Sequence, residues 1–114
     1  MKKVNVSKLV GSNAISIKSG QKLYAEIQKE ILQGERVELD FSGVTVASPF
    51  LNVSIGLLLK DISVTQLQDS LVVQNISDVG RGLLNHVISN ALEFYKNSGT
   101  VSSGIDTSLG KGND

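Results

Sequence analysis

The chain has 114 residues, with eleven basic side chains balancing eleven acidic ones and an apolar content of 40%. That length suits one domain with one core, and the even charge argues against a general field for nucleic acid or anionic lipid. With no cysteine and one histidine, there is no disulfide framework and no thiolate chemistry, and a zinc site is not expected.

No run reaches the roughly 18 apolar residues of a membrane span. The start, "MKKVNVSKLVGS", lacks the apolar region of a secretory signal. A soluble, cytoplasmic protein is the default expectation. The elements then follow in chain order. "KKVNVSK" alternates, which predicts a first strand at about Lys3 to Lys8, with a turn at Gly11-Ser12-Asn13. Leu23, Ile27 and Ile31 recur every four residues, with Tyr24 and Leu32 beside them, as in one apolar helical stripe. Ser19 is a candidate cap for that helix, a start one turn earlier being the alternative, and Gly34 is placed to end it.

Val37, Leu39 and Phe41 alternate with Arg36, Glu38 and Asp40, the cleanest strand pattern in the chain. "GVTVA" is expected to continue this strand after a kink at Gly43. The period changes at "SPFLNVSIGLLLKDI", where Leu51, Ile55, Leu58, Leu59 and Ile62 fit a helix. Ser48 reads as its cap and Pro49, the only proline, as its first residue. "SVTQLQDS" reads as a linker or short helical turn and "LVVQN" as a strand. The last helix is predicted from a Ser77 cap to Gly99, burying Leu84, Val87, Ile88, Ala91, Leu92 and Tyr95. Gly80 and Gly82 weaken its first turns by about 1 kcal/mol each relative to alanine. "TVSSGIDTSLGKGND" has no apolar pattern. The predicted organisation is one domain over residues 1–99 with a flexible tail over 100–114. Leu39, Phe41, Ile55, Leu59, Val87 and Ala91 are expected to be buried together.

The order β-α-β-α-β-α predicts an α/β fold, a mixed or largely parallel sheet with helices packed against it. Asp40 lacks a second acid or base nearby in sequence and is a poor catalytic candidate. His86 sits beside the apolar stripe and reads as a solvated or edge residue. The tail imitates a phosphate loop, but Gly112 stands where Ser or Thr is required. Gly80-Arg81-Gly82 is not a dinucleotide fingerprint. The few aromatic residues are not interleaved with basic ones, so nucleic acid is not an expected partner. No cofactor, metal or catalytic residue is expected.

One segment carries a specific resemblance. Asp40-Phe41-Ser42-Gly43-Val44, then Ala47-Ser48-Pro49-Phe50-Leu51-Asn52, then Ile55-Gly56 and Leu58-Leu59 are similar to the STAS-like domains, small bacterial domains related to anti-sigma-factor antagonists. Val87 to Tyr95 resembles the family's closing helix, and the similarity runs from about Ser19 to Tyr95. The resemblance implies a non-enzymatic regulatory module that binds a partner protein. A histidine-kinase-like ATPase encoded nearby is the implied partner. Antagonists are phosphorylated on a serine near this joint, which makes Ser48 and Ser42 candidate phosphorylation sites. Their motif reads Asp-Ser-Ser-Gly, however, and position for position the acceptor serine falls on Phe50. The expected partner surface is Ser42, Ser48, Pro49, Phe50 and Asn52. Asn52 and Ser54 lie off the apolar stripe and read equally as interface or as solvated positions. Two rivals remain: a structural subunit that does not switch, and a module that binds a small molecule or anion such as a nucleotide at the Ser48 helix start. The pathway and the oligomeric state are not legible.

Overall fold

The computed structural model describes residues 1–98; the predicted helix end at Gly99 and the predicted tail over 100–114 lie outside the described residues. The elements are β1 (Lys2–Asn5), α1 (Val6–Val10), β2 (Asn13–Ala14), α2 (Ile17–Leu32), β3 (Val37–Asp40), β4 (Thr45–Val46), α3 (Ser48–Leu51), a π-helical turn (Asn52–Gly56), α4 (Val64–Ser70), β5 (Leu71–Gln74) and α5 (Asp78–Ser98). The main sheet runs β1-β3-β5, and β2 and β4 form a separate pair. Every pairing is parallel, with Lys2 opposite Val37, Val37 opposite Leu71, and Asn13 opposite Thr45. The α/β expectation of a largely parallel sheet holds.

Alternation sorts the two faces of the sheet. Val4, Val37 and Leu39 are buried, and α2 lies over that side, since Lys2 bridges Glu26 and Glu30 at 3.3 Å each. The other face presents Lys3, Asn5, Glu38, Asp40, Val72 and Gln74, none of them buried. The core gathers Leu23, Ile27 and Ile31 of α2 with Phe41, Phe50, Leu51, Ile55, Leu58, Leu84 and Val87. Leu39, Phe41, Ile55, Leu59 and Val87 are buried together as expected, and Ala91 packs against them half-buried. Leu92 is exposed, which corrects its place on the buried side.

Several boundaries differ from the sequence reading, each for a local reason. The first strand stops at Asn5 rather than Lys8 because the Asn5 side chain accepts the Lys8 N–H at 3.0 Å and caps α1. α2 starts at the earlier alternative: Ser16 is its cap and accepts the Ser19 N–H at 3.0 Å. Gly34 follows the helix at φ 79°, the left-handed region expected of it. Thr45–Val46 does not extend β3. Val44 N–H turns back to the Phe41 carbonyl at 3.0 Å around Gly43, at φ 70°, and the chain pairs instead with Asn13–Ala14. "SVTQLQDS" forms α4, capped by Ser63, which accepts the Gln66 N–H at 3.1 Å. Ser77 caps α5 as predicted, accepting the Gly80 N–H at 3.0 Å.

The helix after the joint is not regular. At Asn52–Gly56 it widens to a π turn. The buried Ser54 hydroxyl donates to the Phe50 carbonyl at 2.8 Å, four residues back, a bond that competes with the helix's own ladder. Gly56 lets the turn press on α5, where a Cβ would lie 3.0 Å from Val87 Cγ1. Among the described residues no helix is long and apolar enough to cross a membrane.

Candidate functional site

The carboxyl ends of β3 and β5 lie side by side, and that of β4 leads into α3 through the joint. Asp40 closes β3. Its Oδ1 accepts three hydrogen bonds: from Ser42 N–H at 2.9 Å, from Ser42 Oγ at 2.7 Å and from Asn75 Nδ2 at 3.0 Å. Asn75 follows β5, the neighbour of β3, and stands at φ 61°, a left-handed conformation that Asn tolerates better than most residues. The Asn75 amide, and after it the Ser42 hydroxyl and N–H, hold the Asp40 carboxyl below its ordinary value. The cluster ties two strand ends together and fixes the turn at Gly43. It is a latch more than a reaction centre. Among the described residues no group of three or more metal-ligating side chains comes together.

Ser48 is not a cap. Ala47 holds the cap position at φ −134° and ψ 159°, without a side-chain hydrogen bond. Ala47 both ends a strand and starts the helix: its N–H donates to the Ala14 carbonyl at 3.1 Å, and its own carbonyl accepts the Leu51 N–H at 3.2 Å. The helix therefore begins one residue before the place that a Ser48 cap requires. Ser48 is its first residue and half-buried, and Pro49 follows in the first turn, where its missing N–H is not needed.

Two residues expected near the surface are inside. Phe50 is fully buried in the core, so its side chain leaves the expected partner surface. Ser54 is also fully buried and satisfied by the Phe50 carbonyl, so neither of its two readings holds. Of the expected partner surface, Ser42, Pro49 and Asn52 are exposed and Ser48 is half-buried; Asn52 faces a hollow it shares with Ala91, Phe94 and Tyr95.

Sequence reasoning missed the apolar residues around this surface. The Ala47–Ala14 hydrogen bond brings Ile15 alongside the joint. Gly20 packs on the Phe50 main chain, carrying the start of α2 and Ile17 to α3. Gly80 lies against Val46, where a Cβ would come to 3.0 Å of Val46 Cγ2, which brings the start of α5, with Val79, to the end of β4. Ile15, Ile17 and Val79 are 49%, 54% and 76% exposed. The available signal was their position off every buried stripe. His86 is exposed on α5, as read. Gly80 and Gly82 both lie inside α5, so they form no phosphate-binding loop; the imitation phosphate loop at 104–112 lies outside the described residues.

A parallel sheet whose strand ends feed a helix through Ala47-Ser48-Pro49 defines a STAS-like α/β domain. The chain belongs to the family described as a STAS-like domain of unknown function, whose model matches residues 19–81, more than half of the chain. The match contains all but the first two residues of α2, the Asp40 latch, the joint and α4, and it stops before the 87–95 segment that the sequence resemblance also included. Neither a curated protein nor a solved structure matches this chain.

Proposed function

We propose that this domain is a regulatory protein-interaction module that works in the cytoplasm, by binding and without turnover, and docks a partner at the joint. One observation carries the reading: the exposed apolar side chains Ile15 and Ile17, on the segment that opens α2, and Val79, at the start of α5, belong to segments packed against the joint, where Pro49 is exposed, while the exposed Asn52 shares a hollow with Ala91, the exposed Phe94 and Tyr95. Exposed apolar groups gathered on a rigid rim are the mark of a contact surface rather than of solvated loops. The latch at Asp40 and the packing of Gly20 on Phe50 hold the rim in place, which limits the ordering entropy lost on binding. A histidine-kinase-like ATPase encoded nearby is the partner that the family relationship suggests. Ser42 is a poor phosphorylation site on this geometry, because a phosphate would stand against the ionised Asp40 that its hydroxyl now contacts. Ser48 remains the better acceptor, half-buried at the rim.

The test is co-purification with the product of the neighbouring gene, using wild type, Asn52→Arg, Ile17→Glu and Ser48→Asp. Asn52→Arg and Ile17→Glu change exposed positions and leave folding intact, and both are expected to abolish capture. Capture equal to wild type by both variants places docking elsewhere. Loss with Ser48→Asp in addition supports a phosphorylation switch; retained capture leaves a docking surface without one.

A further inference from the structure

The two edges of the main sheet are treated differently by the sequence. β1 carries Lys2 and Lys3, charges of the kind that guard an exposed edge against pairing. β5, the other edge, reads Leu-Val-Val-Gln, without a charge or a proline. Beside it lies a groove of about 300 Å³ between α4 and α5, lined by Leu67, Leu71, Val73, Arg81, Leu84 and Ile88. The main-chain geometry gives this edge a direction. Phe41 N–H donates to the Gln74 carbonyl at 2.9 Å, so Gln74 faces β3 with its main chain. Alternation then turns the N–H and C=O of Val73 toward the open edge. Arg81 stands exposed in the second turn of α5 at the rim of the groove. Among the described residues no acidic side chain pairs with it.

We propose that the β5 edge is a strand-addition site for an extended segment of a partner protein that carries apolar residues at alternate positions and a carboxylate. The main-chain groups of Val73 pair with the incoming strand. Every second side chain of that strand enters the groove between α4 and α5, and the carboxylate meets Arg81. Such addition draws affinity from main-chain hydrogen bonds and specificity from the pockets. An apolar edge without charge or proline, a flanking helical groove and a cation that no described acidic side chain pairs together select an extended acidic strand over a helix or an anionic surface. The proposal does not depend on docking at the joint.

The probe is a phage-displayed library of random twelve-residue peptides panned against the full chain. Enriched peptides are expected to show period-two apolar residues with Asp or Glu. The best of them, as a labelled synthetic peptide, is expected to lose at least tenfold in affinity to Arg81→Glu and to shift the Val73 amide resonance of the wild type. Arg81→Glu is on an exposed position in an early helical turn, where a carboxylate is tolerated, so it tests binding and not folding. The proposal is overturned by panning without enrichment. It is overturned as well by peptides that bind Arg81→Glu as tightly as wild type and leave Val73 unmoved. Light scattering that shows a dimer whose Val73 amide is protected from exchange overturns the choice of occupant, because a second copy then covers the edge.

Discussion

Gly20 of α2 lies so close to the main chain of Phe50 that a methyl group on its Cα would come to 2.6 Å of the Phe50 carbonyl oxygen and would also collide with Val53. The obstacle is backbone and cannot rotate away. In a helix, alanine gains about 1 kcal/mol over glycine, whereas overpacking costs about 1–3 kcal/mol. Gly20→Ala is therefore expected to lower stability by up to about 2 kcal/mol, read as a lower urea midpoint. A raised midpoint would show that α2 and α3 separate freely.

Caps and non-caps give opposite results. Ser63→Ala removes the acceptor of the Gln66 N–H and is expected to cost about 1 kcal/mol. Ser48→Ala removes no cap bond and is expected to stay within about 0.5 kcal/mol of wild type. Thermal melts of the two variants side by side decide it, and an equal loss in both would restore Ser48 as a cap.

The core is expected to be unforgiving beneath the π turn. Ile55 is fully buried there, and Ile55→Ala is expected to cost about 2–5 kcal/mol. Leu92 is 38% exposed, and Leu92→Ala is expected to cost much less. Denaturant titration of both tests the assignment of the buried faces.

The Asp40 latch sets an acid dependence. Its carboxyl is depressed in the fold below the ordinary 3.8, chiefly by the Asn75 amide and then by Ser42. A depressed carboxyl contributes stability that is present above the unfolded value and lost as pH falls through the folded one. Asp40→Asn is therefore expected to melt below wild type at neutral pH, with the gap closing as pH drops under about 4. A gap of constant size from pH 7 to pH 2.5 would show that charge on Asp40 has no part in the latch.

Much of the fold was legible where pattern and burial agree. Leu23, Ile27 and Ile31 announced α2, and Val37, Leu39 and Phe41 announced β3, because each set lies on one buried face. Ser77 announced α5. Val4 and Val6 misled because both are buried while the backbone changes type between them, under the influence of the Asn5 cap. β2 and β4 have two residues each, too few for any period. The site was legible in outline only. The joint was found, yet Phe50 and Ser54 proved internal because the π turn widens the buried side of the helix and gives Ser54 a carbonyl to bond. Ile15 and Ile17 share one stretch and Val79 lies in another, and only the fold brings the two stretches to the joint.

The strictly parallel pairing bears on how the molecule assembles itself. Lys2 meets Val37, Asn13 meets Thr45 and Val37 meets Leu71, so each strand waits for a partner more than thirty residues away in the chain. Among the described residues no hairpin is available to nucleate the sheet, and distant contacts of this kind slow the search for the native state. The early events fall to the helices, with α2 the best placed by its length and stripe. Until the crossovers close, β5 and its uncharged edge stay open to any neighbouring chain. The lysines of β1 protect only one flank of the unfinished sheet, so the interval before closure is when crowding and synthesis rate decide between a folded domain and an aggregate.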